Sequence, residues 1–477
     1  MKSTGTFQIF ITCLLFLLNG IFCGCSVHKS TLEKDLPGSD YTFQNKFEHT
    51  APPVDRWWEY FNDPQLNNLM DEMFQSNLDI EQAFARWRRF EAECIVVDAG
   101  RKPLINLSFS GGREQTPTVK SSTGPTRNNK FQLAAAGSFE LDLWGKLKER
   151  ERASIWELLA TESDIRTLYI SLSAEVADLY FKIIEIKHLI KLLSQTIESY
   201  EQSLDVTKNR YLQGLSSIRD VYQAEQSLAS TLTQRPQLQE SLILAEYALS
   251  LLLGRYPEIN ISGKVDTLPQ APLPLPVDMP STLLKNRPDI QASMARLRAT
   301  DARLGAAVAD RFPSFNLSAK IGYGSTRIAE LIKPDNLLWN FVGDLVQPLI
   351  DGGRRKAEIR SKRAQYEELI YKYKSDVLTA FKEVEDALVK NKKVETRLKL
   401  EEDSVLASAG LLEITREQYV QGIMDYLPLL TAQQAYYRSQ TELVSTRREL
   451  ISNRIELARV LGGKWSEKMV KERLEKE

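Results

Sequence analysis

Apolar side chains recur at alternating spacings of four and three residues along a central stretch of the chain. Between Lys146 and Gln213 there is neither Gly nor Pro to favour a helix end. This heptad pattern predicts an unbroken helix of roughly 100 Å at 1.5 Å per residue. A second stretch, 354–421, is interrupted only by Gly410 and predicts a matching helix. The apolar seam of the first stretch consists of Leu172, Val176, Leu179, Ile183, Ile186, Ile190, Leu193, Ile197, Tyr200 and Leu204.

A shorter return helix is predicted after each long one. The first lies at about 217–253 and ends at LLLGRYP, and its counterpart ends at VLGGKW. A further helix at 78–99, stacked end to end on the return helix, would bring the pair to roughly 90 Å. Each half of the chain therefore supplies one long helix beside two short ones.

The chain begins with a third kind of pattern, an apolar run from Phe7 to Phe22 that follows Lys2. This run is too short for a spanning helix and ends in small residues, which is typical of a secretory signal. The sequence IFCGC resembles a bacterial lipobox, in which Cys25 would become the lipidated first residue of the mature protein. Acyl chains on that cysteine would attach the protein to a membrane. The alternative is a plain signal peptide cut nearby.

Four other stretches alternate apolar and polar residues, as in PSFNLSAKIGYG, and each is predicted to be a β-strand. The alternation fits a half-buried soluble sheet and a transmembrane barrel alike. Strands of about ten residues, in a secreted chain with long helices, favour the transmembrane barrel over the soluble sheet. Four strands cannot close a barrel, whose smallest form has about eight, so several copies must share one. The predicted strands lie at about 104–112, 129–142, 313–324 and 337–348.

The two halves of the chain are copies of one unit. Gly214 and Gly422 lie 422 − 214 = 208 positions apart, and the same offset relates Gly145 to Gly353. Upstream, PLINLS and PSFNLS pair at an offset of 210. The two-residue change in offset therefore falls between Ser108 and Gly145. A fixed offset is the signature of an internal repeat. We therefore expect one structural unit used twice, although length alone suggests roughly three domains.

Composition and charge exclude several function classes. Without residues 1–24 the chain has 62 − 1 = 61 basic and 63 acidic residues, which gives no sign of a nucleic-acid partner. Of the cysteines only Cys94 would remain as a free thiol, and His28, His49 and His188 share no metal-ligand spacing. No Gly-rich phosphate loop or nucleophile elbow is present. The sequence therefore predicts no catalytic residue, no metal, no cofactor and no enzyme activity.

Six motifs occur in order along nearly the whole mature chain. They are WWEYFNDPQLNNLM from Trp57, FELDLWGKL from Phe139, MPSTLLKNRPDI from Met279, QPLIDGGRRKAEI from Gln347, EVEDAL from Glu383 and LGGKW from Leu461. Together they resemble the TolC-like outer membrane factor family, in its lipoprotein branch found with multidrug and metal efflux pumps. The resemblance implies a mixed α/β membrane protein whose duplicated long helical hairpins form a periplasmic α-barrel. It also implies a homotrimer, in which four transmembrane β-strands per chain close a 12-stranded β-barrel.

The resemblance divides the chain into segments. The tips of the two helical hairpins are expected near 214 and 422, and a Pro-rich extended connector joins the repeats. The expected segments are 1–24 (signal peptide), 25–63 (lipidated N-terminal segment), 64–256 (first repeat), 257–288 (connector), 289–465 (second repeat) and 466–477 (charged tail).

Two Tyr-x-x-Gly sequences mark the predicted tips. In the family such turns lie at the far periplasmic end, where the helix hairpin reverses and the tunnel closes. The turns can serve chain reversal alone or also the docking of a periplasmic adaptor. Gly suits the end of a helix because it adopts left-handed backbone without a Cβ penalty. The implied tip residues are Tyr211, Gly214, Tyr419 and Gly422, and the implied adaptor contacts are 212–217 and 420–425.

Acidic residues near the tips are candidates for a pore gate. In the family, rings of Asp narrow the pore and favour cations. Asp220 follows Gly214 by six residues, where such an Asp can sit, and its counterpart in the second repeat is Pro428. Asp220 is therefore expected to face the pore. For Asp425, the nearby carboxylate of the second repeat, a gate and an exposed helix cap both stay open.

The expected function is an outer membrane exit duct of a tripartite efflux system. Such a duct passively conducts drugs, metals or other small solutes from a periplasmic adaptor and an inner-membrane pump to the outside. One alternative is the channel of a type I protein secretion system, and another is a periplasmic coiled-coil scaffold or adaptor lipoprotein. The expected location is the outer membrane, in contact with its lipid and anchored through Cys25, with a large periplasmic part.

Overall fold

A computed structural model describes residues 27, 28, 30, 56–116, 126–261, 263, 265–272, 286–463 and 465–475. The predicted signal peptide, Cys25 and most of the predicted N-terminal segment lie outside these residues. The helices are α1 (Pro64–Ser76), α2 (Leu78–Ala99), α3 (Lys146–Leu212), α4 (Ile218–Leu232), α5 (Gln234–Leu252), α6 (Pro288–Ala309), α7 (Arg354–Val420), α8 (Tyr426–Leu461) and α9 (Trp465–Leu474), with a short 3-10 helix at Trp57–Phe61. The strands are β1 (Leu104–Thr116), β2 (Thr126–Leu141), β3 (Ser314–Ser325) and β4 (Leu337–Val346).

The described residues fall into two compact units. The first contains the sheet and comprises mainly Arg86–Thr161 and Ala292–Lys374. The second contains both helical tips and comprises described residues of Gly38–Ala85, Glu162–Gln291 and Ser375–Glu477.

The two long helices predicted from the heptad pattern are present, and α3 and α7 have 67 residues each. Asp142 accepts hydrogen bonds from two main-chain N–H groups at the start of α3, at 3.0 and 2.7 Å, and Asp351 does the same for α7. Such bonds satisfy the N–H groups that lack partners in a first helical turn. Gly410 does not interrupt α7, because one Gly in a helix interior costs only about 1 kcal/mol.

The first return helix differs from the prediction. Instead of a single helix at 217–253, two helices, α4 and α5, meet at Thr233. Pro236 explains the break, because it has no N–H to donate to the carbonyl of Leu232 four residues earlier. In the second repeat Val444 stands at the equivalent position, 236 + 208 = 444, and α8 continues over 36 residues.

The strands form one antiparallel sheet in the order β1-β2-β3-β4, so the hairpin of the first repeat pairs with that of the second through β2 and β3. The register aligns apolar residues of all four strands on one side, which we call the apolar face. Its rows are Ile105, Gly137, Ala319 and Phe341; then Leu107, Ala135, Ile321 and Trp339; then Phe109, Leu133, Tyr323 and Leu337.

The opposite side of the sheet is more polar. One row of side chains on this side consists of Asn106, Ala136, Lys320 and Asn340. On the apolar face the outer strands are open to solvent in a single chain, with Leu107 76% and Trp339 74% exposed. The sheet therefore presents two chemically distinct faces.

An aromatic cluster forms part of the core of the second unit. Trp58 is fully buried, and its ring lies 5.0 Å from that of Trp465 and 5.6 Å from that of Phe74. Trp465 begins α9, which occupies most of the segment predicted as a charged tail, 466–477. Trp465 and Val470 are both buried, so the described part of this segment forms a packed helix.

The predicted fold class is confirmed for the described residues, since duplicated long helical hairpins and a four-stranded sheet are both present. Within the described ranges, no helix combines the length and the apolar character needed to cross a membrane.

Candidate functional site at the two hairpin tips

The two Tyr-x-x-Gly sequences end the long helices in the same way. Gly214 has φ of 72° and Gly422 has φ of 77°, a region that side chains disfavour. The N–H of Gly214 donates to the carbonyl of Tyr211 at 2.9 Å, and the N–H of Leu215 donates to that of Arg210 at 2.8 Å. The second tip forms the equivalent bonds at 3.1 and 2.9 Å. Each tip is therefore a Schellman turn, which satisfies carbonyls at the helix end.

The two tip tyrosines have different environments. Tyr211 is 42% exposed, whereas Tyr419 is only 2% exposed. The hydroxyl of Tyr419 lies 2.9 Å from that of Thr207, and its ring packs edge to face against that of Tyr426. Burial raises the pKa of Tyr419, although the hydrogen bond with Thr207 and the nearby Arg210 act in the opposite direction. Tyr419 is thus a packed neutral phenol, and Tyr211 is the accessible one.

Arg210 joins the first tip to the second. Its Nη1 donates to the main-chain carbonyl of Tyr419 at 2.7 Å, and the guanidinium lies 4.8 Å from the ring centre of Tyr419. The same carbonyl accepts the N–H of Gly422 that forms the second turn. A hydrogen bond with a charged donor contributes roughly 1.5–3 kcal/mol. Arg210 was not among the predicted site residues. Comparison of the repeats could have pointed to it, because its equivalent in the second repeat is the uncharged Gln418.

Asp220 caps the helix that follows the first tip. Its carboxylate accepts the main-chain N–H of Ser217 at 3.1 Å, and the hydroxyl of Ser217 accepts the N–H of Asp220 at 3.4 Å. This reciprocal pair is a capping box. The hydroxyl of Ser216 also donates to the carboxylate, at 3.1 Å, and the side chain is only 15% exposed. Asp220 is therefore already engaged at the start of α4.

Asp425 has the opposite character. It occupies the N-cap position of α8, yet its side chain makes no capping hydrogen bond, and the residue is exposed. Pro428 is the third residue of α8, where a missing N–H is tolerated because that group has no partner within the helix. Of the two carboxylates considered for a gate, Asp425 is the one open to solvent.

Both tips expose apolar side chains at equivalent positions. Leu212 and Leu215 of the first tip are 80% and 62% exposed, and Val420 and Ile423 of the second are 60% and 70% exposed. A cavity of about 650 Å³, lined in part by Val420, Arg416 and Gln433, lies beside the second tip. Clustered exposed apolar residues beside a groove are typical of an interaction surface.

Other candidate chemistry is sparse in the part of the chain that the structure describes. No group of three or more His, Cys, Asp or Glu side chains there is arranged to hold a metal ion. Cys94 is half-buried on α2. Cys25, the predicted lipid anchor, lies outside this part.

The chain is similar to several efflux proteins over most of its length. It is 29% identical to the toluene efflux pump outer membrane protein TtgI of Pseudomonas putida, over 90% of this chain and 92% of that protein. It is 28% identical to the cation efflux system protein CusC of Escherichia coli, over 86% of this chain and 88% of that protein. It is 27% identical to the probable outer membrane lipoprotein SilC of Salmonella typhimurium, again over 86% and 88%.

Solved structures of outer membrane channels are also similar to this chain over most of its length. The outer-membrane channel OprN superposes with a TM-score of 0.87 at 26% identity and covers 93% of this chain and 100% of that one. CusC superposes with a TM-score of 0.80 at 27% identity and covers 90% of this chain and 97% of that one. The family described as outer membrane efflux protein matches residues 69–255 and 279–463. The chain therefore belongs to the outer membrane efflux protein family.

Proposed function

We propose that this protein is the outer membrane exit duct of a tripartite efflux system and works as a homotrimer. Three copies of the four-stranded sheet form a 12-stranded barrel in the outer membrane, and the helical hairpins form a periplasmic tunnel. Small solutes pass through passively. The cargoes named for the relatives, which include toluene and cations, belong to this class.

The apolar face of the sheet supports this proposal most directly. Its rows run across all four strands, and the row through Leu107 and Trp339 consists entirely of apolar residues. The more polar face lies behind it. A lipid-facing apolar surface with a polar lumen behind it is what a transmembrane barrel requires. Since a sheet edge is not tolerated in lipid, β1 and β4 must find partners on neighbouring copies.

The tips supply the proposed contact with a periplasmic adaptor. Segments 212–217 and 420–425 expose apolar residues, and three copies would present six such turns. An adaptor joined at these turns connects the duct to an inner-membrane pump, which provides the energy for transport. Cys25, acylated after removal of the signal peptide, adds a lipid anchor.

Extraction and electrophoresis test this proposal. The protein carrying Cys25→Ala behind a cleavable signal should still require detergent and should migrate as a trimer that becomes monomeric on heating. Photo-crosslinkers at Leu215 and Ile423 should capture the adaptor, while one at Tyr371, which is exposed far from the tips in sequence, serves as a control. A water-soluble monomer after loss of the anchor would contradict the proposal and favour a periplasmic scaffold.

A further inference from the structure

Two residues just after the predicted lipid anchor contact one carboxylate of α6. Nε2 of His28 donates to Oδ1 of Asp301 at 2.9 Å, and Ser30 donates a second hydrogen bond to the same side chain. The side chain of Asp301 is only 7% exposed, and that of His28 is 18% exposed. Because a buried carboxylate is costly without hydrogen-bond donors, these two residues hold their segment to α6 at a defined place.

A glycine of α6 makes room for the imidazole. A Cβ added to Gly305 would lie 3.2 Å from Cδ2 of His28 and 3.3 Å from Cγ of Glu149 on α3. A larger residue at this position would therefore push against both side chains in a closely packed region. Asp301 and Gly305 are four residues apart and so lie on the same face of α6. We call the place formed by Asp301, Gly305 and Glu149 the docking groove.

The charges of the docking groove favour a hydrogen-bond donor. Oε2 of Glu149 is buried and has no hydrogen-bond partner among the described residues, while Nη1 of Arg152 lies 3.4 Å from its Oε1. The carboxylates of Asp301 and Glu149 thus outnumber the single cation, Arg152. An imidazole N–H suits this surrounding. All of these residues, and His28 itself, belong to the first compact unit.

The docking groove lies next to one end of the sheet. Gly305 is four residues before the end of α6 at Ala309, a rise of about 6 Å, and β3 begins at Ser314. Glu149 belongs to the first turn of α3, which follows β2. Because β2 and β3 are the central strands of the sheet, the groove is associated with the middle of the sheet and not with its open edges, β1 and β4.

Docking of His28 limits where an anchor on Cys25 can lie. Cys25 precedes His28 by 28 − 25 = 3 residues, so its acyl chains begin within about 10 Å of that residue. Without this contact the cysteine would be held only by the chain that continues to Arg56, just before the first described helix. That chain has 56 − 25 = 31 residues and can extend over roughly 100 Å. The contact therefore restricts the anchor to a small part of its possible range.

We propose that the docking groove holds the N-terminal segment so that the lipid anchor enters the membrane beside the central strands of its own chain. His28 is the positioning residue, and Asp301 is its partner. The acyl chains then lie against β2 and β3 near Phe139 and Leu317, which the register pairs on the apolar face. This inference rests on the proposed function, because it requires an acylated Cys25 and a sheet that spans the membrane.

Photo-crosslinking from the anchor tests the inference. Cells are fed a fatty acid that carries a diazirine and is incorporated on Cys25, and their outer membranes are irradiated. Mass spectrometry of the purified trimers counts only peptides joined to the acylated N-terminal peptide. In wild type, β2 and β3 should carry about ten times as many crosslinks as β1 and β4, a ratio that corresponds to about 1.4 kcal/mol. His28→Ala should bring this ratio close to one, whereas Val27→Ala, which alters an exposed neighbour, should preserve it.

Several results overturn the inference. An even distribution over the four strands in wild type does so, as does a ratio that His28→Ala leaves unchanged or that both variants reduce equally. Absence of acyl chains on Cys25 also overturns it. If His28→Ala fails to form trimers, Gly305→Val replaces it with the same expected result, because this change crowds the imidazole and leaves Asp301 in place. Absence of wild-type trimers refutes the proposed function itself, a result that electrophoresis reports separately.

Discussion

Equivalent residues of the two repeats have diverged in what they contact. The main chain ends both long helices in the same Schellman turn, yet Tyr419 is buried beneath Arg210 while Tyr211 is accessible. Arg210 has Gln418 as its equivalent, so only one of the two tips supplies this contact. Duplication therefore preserved the backbone turn while the side-chain chemistry of the two tips became different.

The two acidic tip residues should contribute unequally to ion preference. Asp425→Asn should reduce the cation preference of reconstituted trimers, because its carboxylate is exposed and makes no capping hydrogen bond. Asp220→Asn should change it less and should instead lower the heat stability, by about 1 kcal/mol, because it weakens a capping box. Reversal potentials in a salt gradient measure the preference. A larger loss of cation preference in Asp220→Asn than in Asp425→Asn would support the prediction that Asp220 faces the pore.

Asp301 should make stability depend on pH. Nε2 of His28 donates to its carboxylate at 2.9 Å, and the Asp301 side chain is 7% exposed. Burial alone would raise the pKa of Asp301, but hydrogen bonds from His28 and Ser30 and the charge of Arg152 outweigh it, so the pKa falls below 3.8. A lowered carboxyl pKa adds stability that is complete above the unfolded value and disappears as the pH drops through the folded value.

Heat denaturation of Asp301→Asn therefore should show a lower midpoint than wild type at pH 7, by roughly 1 kcal/mol of stability, with the difference shrinking below pH 3.8. Asp98→Asn is the matched control. The pKa of Asp98 is also lowered, mainly by the Lys102 ion pair, but that pair is exposed and screened by solvent. Equal effects of the two changes at every pH would contradict this account.

At the scale of elements, the periodicity of apolar residues predicted most of the helices and strands. The heptad pattern predicted α3, because its apolar spacing continues without Gly or Pro. The alternation of apolar and polar residues predicted all four strands. The break at Thr233 was missed, although Pro236 is visible in the sequence, because the apolar pattern continues through it. The helix α9 was not predicted, because its ten residues are rich in charge and hold too few apolar residues to show a helical period.

Close packing of β3 on β2 should make one glycine of the sheet irreplaceable. A Cβ at Gly322 would lie 2.2 Å from the carbonyl oxygen of Leu133 and 2.6 Å from Cα of Ala134, both main-chain atoms that cannot move alone. Gly322→Ala should therefore greatly reduce the yield of heat-modifiable trimer. Gly112→Ala on β1 is the control, because a Cβ there meets nothing within 4 Å. Similar trimer yields from the two variants, measured by electrophoresis of membrane fractions, would contradict this packing argument.

At the scale of the whole molecule, long-range contacts set the limit of inference from the sequence. The repeat, the strands and the tips follow from local patterns. The contact of Arg210 with Tyr419 joins residues 209 positions apart, and the hydrogen bond from Nε1 of Trp144 to the carbonyl of Pro313 joins residues 169 positions apart. Neither has a local signature, because each depends on how distant segments come together.

The proposed orientation of the sheet predicts different effects for adjacent substitutions. Leu107→Arg places a charge on the apolar face, where near the middle of a bilayer it costs roughly 2–4 kcal/mol. Asn106→Arg places the same charge on the polar face, which already carries Lys320. Trimer yield in the outer membrane should fall sharply for the first variant and stay near wild type for the second. The reverse order would place the apolar face inside the barrel.

The order of the strands has a consequence for biogenesis. Within the described chain, β1 and β4 each pair on one side only, so each leaves a row of unsatisfied main-chain groups. A newly exported subunit is therefore a template for any extended peptide it meets, including another copy in the wrong register. In the proposed trimer these edges stay open until neighbouring subunits pair with them, so slow assembly at a high subunit concentration would end in aggregates.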